Sequence, residues 1–101
     1  MTINSFALDG TPTPIFTSIG VSVISAAYFC NVDQMSSQMF SVWLVQNGDN
    51  ATDTNMIYSN VAVVASDTYV MDREKIVLDN GDSIYANCSA SISATISSFS
   101  Q

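Results

Sequence analysis

Along most of the chain, hydrophobic and polar residues alternate with the period of two that is typical of β-strands. The clearest case is residues 92–97, where Ile92, Ala94 and Ile96 share one face and serine or threonine fills the other. Residues 38–47 are instead apolar on both faces. That pattern predicts a strand that lies centrally in its sheet or is covered on both sides.

Turn sequences divide these stretches. Residues 47–50 (Asn-Gly-Asp-Asn) and 79–82 (Asp-Asn-Gly-Asp) are rich in turn-forming residues, and the first loop is expected to continue to Asn55. The best helical candidate is a single turn over residues 33–40, which Asp33 can cap. With turn signals every 8–12 residues or so, the sequence predicts an all-β, single-domain antiparallel β-sandwich of about 7–8 short strands.

The N-terminal segment is the least regular part of the chain. Residues 11–14 read Thr-Pro-Thr-Pro, and prolines at alternate positions keep the backbone extended while removing the N–H groups that a central strand would donate. We predict an extended N-terminal arm over residues 1–14 and the sandwich domain over residues 15–101, with Phe6 and Leu8 as anchors in the arm. The alternative is a frayed terminus.

The net charge of −7 excludes two classes of partner. Arg73 and Lys75 are the only basic residues, against nine acidic ones. Nucleic-acid binding and attraction to anionic membranes both depend on clustered basic side chains, so we expect neither partner. Residues 72–75 (Asp-Arg-Glu-Lys) form either a polar turn or a clamp on an acidic partner.

The chain of 101 residues is poorly equipped for catalysis or metal binding. It contains no histidine, and its two cysteines alone cannot close a structural zinc site. The acidic residues 49–55 offer oxygen ligands but lack the spacing of a calcium loop, which favours a solvated turn. We therefore predict no enzyme activity, no cofactor and no metal site, against the alternative of a small carboxylate hydrolase.

The order and spacing of Cys30, Trp43 and Cys88 resemble the immunoglobulin framework, in which two cysteines pair across a tryptophan. Ala86 occupies the position where that framework carries its conserved corner tyrosine. The N-terminus has no cationic region and no uninterrupted apolar run, so we expect no secretory signal and a reducing environment. Two unpaired thiols are the favoured interpretation, and a disulfide is the alternative.

Residues 75–90 read Lys-Ile-Val-Leu-Asp-Asn-Gly-Asp-Ser-Ile-Tyr-Ala-Asn-Cys-Ser-Ala, and the alternating residues 92–99 follow them. This segment resembles the C-terminal half of small β-sandwich structural proteins of tailed bacteriophages. Residues 28–31, Tyr-Phe-Cys-Asn, leading into residues 40–45, are also similar to that group. The resemblance covers about residues 15–100 and brings no catalytic residues with it.

This resemblance implies a virion structural protein: a capsid cement, or decoration, protein that binds across major capsid protein subunits and stabilises the shell. It would be made in the host cytoplasm, reside on the outer capsid surface and form a homo-oligomer, with a trimer favoured. The alternatives are a neck, connector or tail accessory protein and an immunoglobulin-like adhesion or carbohydrate-binding module. The residues that we expect to contact partners are Phe6, Leu8, Ile15, Phe16, Arg73 and Lys75.

Overall fold

The computed structural model describes residues 2–71 and 76–100, which form nine β-strands. The fold is all-β, and its strands pack as two antiparallel sheets, as the alternating pattern predicts. The strands are β1 Thr2–Ala7, β2 Thr13–Thr17, β3 Ser22–Asn31, β4 Gln38–Val45, β5 Met56–Val63, β6 Thr68–Met71, β7 Ile76–Leu78, β8 Ser83–Cys88 and β9 Ile92–Ser100.

The chain crosses repeatedly between the two sheets. Sheet A has the order β1-β9-β3-β6, and β7 pairs with the other end of β3. Sheet B has the order β2-β8-β4-β5. The strand predicted to be central, β4, pairs with β8 on one side and β5 on the other. The two predicted turns connect β4 to β5 and β7 to β8.

Aromatic residues fill the middle of the core between the sheets. Phe29 of sheet A stacks on Phe40 of sheet B, with ring centroids 4.2 Å apart and planes 11° from parallel. Tyr58 and Tyr69 pack around this stack, each meeting Phe40 at an angle. Such stacks contribute about 0.5–1.5 kcal/mol beyond the area that they bury.

One buried amide joins three segments at the end of β3. Asn31 has no solvent-exposed surface. Its Nδ2 donates to the carbonyl oxygens of Ser36 (3.0 Å) and Val63 (2.9 Å). Its Oδ1 accepts from the backbone N–H of Asp33 (2.9 Å). Asn31 therefore links sheet A, the loop after it and the last residue of β5 in sheet B.

The helical candidate at Asp33 is a turn rather than a helix. Asp33 Oδ1 accepts hydrogen bonds from the backbone N–H groups of Met35 (2.9 Å) and Ser36 (3.3 Å), which is the capping that the sequence suggests. The bond from Met35, followed by that from the Gln38 side chain, holds the pKa of the Asp33 carboxyl below its ordinary value of 3.8. The chain then enters β4 directly, so the capped turn does not propagate.

The N-terminal segment differs from the predicted arm. Residues 2–7 form β1, paired with β9 along its whole length, and the predicted boundary between residues 14 and 15 falls inside β2. The prolines do not force the chain out of the sandwich, because Pro14 lies in an edge strand, where a missing N–H breaks no ladder. Between the two strands, Leu8 packs into the core and its N–H donates to Ile92 O (2.9 Å).

We expect Asn31→Asp to destabilise the fold by about 3 kcal/mol or more at neutral pH. The substitution places a buried carboxylate against the carbonyl oxygens of Ser36 and Val63, which now have no donor. The loss of stability should be smaller at acidic pH, where the protonated carboxyl can donate a hydrogen bond again. Urea unfolding at several pH values measures this effect. Asn50→Asp, at an exposed loop position, is the control and should change stability by less than about 0.5 kcal/mol.

Candidate functional site

Charged side chains are confined to the loops of the described structure. The nine strands contain no charged residue. Because neighbouring strands alternate in direction, the loops gather at the two ends of the sandwich and leave both sheet faces uncharged. The described aspartates at one end are Asp9, Asp33 and Asp67; those at the other end are Asp49, Asp53, Asp79 and Asp82.

The outer face of sheet A carries large hydrophobic side chains. Phe99, Val23 and Val77 lie directly opposite one another on three neighbouring strands. Phe99 is 49% exposed and Val77 is 63% exposed, while Val23 is half-buried. A second cross-strand pair, Tyr28 and Val70, lies further along the same face, and both side chains are exposed.

We call these five residues, Val23, Tyr28, Val70, Val77 and Phe99, the apolar face. The registers place the members of each group side by side, since opposite residues of antiparallel strands bring their Cβ atoms within about 5.5 Å. The two groups lie five residues apart along β3. Nothing in the described chain packs over the two most exposed of them, Val77 and Phe99. A neighbouring apolar group of this kind marks an interaction surface more often than scattered single residues do.

A second surface feature is an open groove on one side of the sandwich, where β1 and β2 are the adjacent edges of the two sheets. The groove has a volume of about 350 Å³. It brings together three residues that the sequence analysis assigned to partner binding. The residues that line it are Asn4, Phe6, Pro14, Ile15, Phe16 and Thr17.

The predicted contact residues that the structure describes differ in their exposure. Leu8 and Ile15 are buried members of the core, so they stabilise the domain and offer little surface to a partner. Phe16 is partly buried against the same core, and Phe6 alone is well exposed. Arg73 and Lys75 lie outside the described residues.

The cysteines and the tryptophan do not take up the immunoglobulin arrangement. Both thiols are free. Cys30 lies on the opposite face of β3 from the core residue Phe29, whereas Cys88 points into the core. Trp43 likewise lies on the outer face of sheet B. The last strand, β9, lies in sheet A, whereas the immunoglobulin order places it beside the strand of the second cysteine, here β8.

In the described loops, the polar side chains form hydrogen bonds and do not gather into a metal-ligating cluster. In the acidic loop, Asn55 Oδ1 accepts from Thr52 N–H (2.9 Å) and Asn55 Nδ2 donates to Asn50 O (2.8 Å). Across residues 2–71 and 76–100, no cluster of three or more acidic or cysteine side chains is arranged to hold a metal ion. The same residues include no helix that could span a membrane.

Known proteins do not identify a family for this chain, because no protein-family profile, curated protein or solved structure matches it. Its function is therefore inferred from its own surfaces, together with the resemblance in residues 75–99.

The sequence analysis missed the apolar face. Alternation divides each strand into two faces but does not say which one enters the core. A signal was nevertheless present, because Val23, Val77 and Phe99 are hydrophobic residues at positions that alternate with the core-facing ones. A strand needs apolar residues on only one face to form a core, so apolar residues on its second face indicate an exposed apolar surface.

The placement of the thiols predicts their reactivity. Cys30 is half-buried on an outer face, whereas Cys88 is only 4% exposed. We expect one thiol per chain to react with a thiol reagent in native buffer and both to react in denaturant. Cys30→Ser should abolish the native reaction, and Cys88→Ser should leave it unchanged. Equal protection of both thiols, or a mass shift on reduction, would contradict this arrangement.

Proposed function

We propose that this chain is a structural protein of a tailed-bacteriophage virion that binds to the outer surface of the capsid and cements the shell. The apolar face carries the proposal: its five hydrophobic residues lie on one face of sheet A, whose strands contain no charged residue. The sequence resemblance in residues 75–99 supports the same class of protein.

The distribution of charge suits docking through a sheet face. The centres of protein–protein interfaces are depleted of charged residues and enriched in aromatic ones. On the apolar face, Phe99 and Tyr28 are the aromatic members, and the described aspartates lie in the loops at the ends. A partner can therefore cover this face without burying an unpaired charge, which would be costly.

Shell stabilisation follows from mass action. A domain that contacts two or three neighbouring capsid subunits binds the assembled shell and not the separated subunits. Each bound copy then shifts the equilibrium towards the assembled state. The domain itself has to resist deformation, and the Phe29–Phe40 stack and the Asn31 hydrogen bonds hold its two sheets together.

Val77→Lys should weaken binding to intact capsids of the same phage by about tenfold or more, because it places a charge among the apolar side chains that the capsid would cover. Val64→Lys is the matched control: Val64 is 60% exposed, against 63% for Val77, but lies in the loop after β5. Co-sedimentation of each purified variant with capsids measures binding.

Four outcomes decide the assignment. Binding of the wild type and of Val64→Lys, with loss in Val77→Lys, supports the cement function. Wild-type protein that binds tails or connectors and leaves capsids bare would assign the chain to the neck or tail instead. Wild-type protein that ignores every virion component, or equal binding by both lysine variants, would overturn the proposed surface.

A further inference from the structure

The two sheets have four free edges in the described structure, and three of them carry a feature that hinders pairing with another strand. In β2, Pro14 and a register shift interrupt the edge. In β5, the register shifts near Asn60, which has a φ of 51°, and its N–H bonds to Ser41 Oγ (3.0 Å) rather than to a backbone carbonyl. The fourth strand of sheet A is divided into β6 and β7, and the sequence between them is Asp-Arg-Glu-Lys.

The remaining edge, β1, has none of these features. Its six residues pair with β9 in an unbroken register from Thr2–Ser98 to Ala7–Ser93. The sequence Thr-Ile-Asn-Ser-Phe-Ala contains no proline and no charge. Ile3 is 64% exposed on one side of the strand, and Phe6 is 40% exposed on the other. Proteins normally avoid leaving such an edge open, because it is a template for another strand.

We propose that β1 pairs antiparallel with β1 of a second copy of this chain, which joins the two copies of sheet A into one continuous sheet. An antiparallel pair of identical strands is related by a two-fold axis, so the same edge serves both copies. The contact closes at two copies, which makes the assembly a dimer rather than the trimer favoured from sequence.

The charge distribution favours a second copy as the occupant. Two chains of net charge −7 repel each other, yet the β1 edge is uncharged and runs along the side of the sandwich, away from most of the acidic loops. Pairing therefore buries no charge. Because salt screens the remaining repulsion, dimerisation should strengthen as the salt concentration rises. An edge that bound a basic partner would show the opposite dependence.

Sheet geometry restricts the register of the pair. Residues directly opposite each other in an antiparallel pair project on the same face of the sheet. A two-fold axis perpendicular to the sheet keeps each residue on its own face, so a residue can lie opposite itself or a residue an even number of positions away. The axis therefore passes beside one residue and not between two. For strands with the length of β1, the axis lies at Asn4 or at Ser5, and that residue then faces its own copy.

The proposed dimer also has a consequence for docking, which rests on the proposed function. A two-fold axis perpendicular to sheet A leaves both apolar faces pointing in the same direction. One dimer would then contact a repetitive surface at two points, and the second contact would be intramolecular, which raises the overall affinity. The pairing itself is measured on purified protein and does not depend on capsids.

The oligomeric state tests the pairing. Light scattering after size-exclusion chromatography should give twice the chain mass for the wild type. Ile3→Lys should weaken association by about tenfold, because it puts a charge on each side of the shared edge. Val77→Lys is the matched control, since Val77 is as exposed and lies on the same face of sheet A, but at the far edge. It should remain a dimer.

Cross-linking gives a second readout that does not depend on how well Ile3→Lys folds. In a Cys30→Ser background, Ser5→Cys or Asn4→Cys should form a disulfide-linked dimer under mild oxidation, because the residue at the axis lies within reach of its own copy. Ser59→Cys is the control, since Ser59 is an exposed residue on the β5 edge. It should stay monomeric on non-reducing gels.

The outcomes separate this proposal from the proposed function. A wild-type monomer across the accessible concentration range, a trimer, or dissociation by Val77→Lys but not by Ile3→Lys would each overturn the β1 pairing. Cross-linking at Ser59 instead of position 4 or 5 would do so as well. If the protein forms a dimer that cross-links through β1 but does not bind capsids, the β1 pairing stands and only the cement function is rejected.

Discussion

The stack of Phe29 on Phe40 is the contact on which the rest of the sandwich depends. These two rings join the middle strands of the opposing sheets, and both are almost fully buried. Their position fixes which residues of β3 and β4 face inward. Because side chains alternate along a strand, a slip by one residue would bring the outward set into the core. Asn31, two residues after Phe29, adds a directional constraint, since its hydrogen bonds are satisfied in one relative placement of the sheets.

With the inner faces fixed in this way, the strands leave their outer faces free of charge. The described aspartates lie in the loops, where their carboxylates also accept local backbone hydrogen bonds, as Asp33 and Asp82 do. The negative charge of the described residues is thus separated from the sheet faces. The same separation leaves the apolar face without a charged residue in its strands.

Much of the fold follows from local patterns, whereas the surfaces depend on long-range pairing. The turns at residues 47–50 and 79–82 and the alternation of β9 are local signals, and they predict the strands correctly. For β4 the sequence leaves both faces possible. The structure places Phe40 and Val42 in the core and Trp43 on the outer face, although Trp43 is only 6% exposed. Strand β1 escapes prediction because its six residues gain stability from pairing with β9, which lies more than 80 positions away in the chain.

An uncharged strand edge and an uncharged sheet face are useful for binding but favour uncontrolled association. In this domain, features at three of the four described strand edges limit such association. Proline and a register shift interrupt β2, a left-handed residue disrupts β5, and the edge formed by β6 and β7 is divided by a charged sequence. Growth of the sheets is therefore hindered at three of the four described edges. If β1, the fourth edge, pairs with β1 of a second copy across a two-fold axis, no free β1 edge is left. Association then stops at a defined size instead of continuing into a fibre.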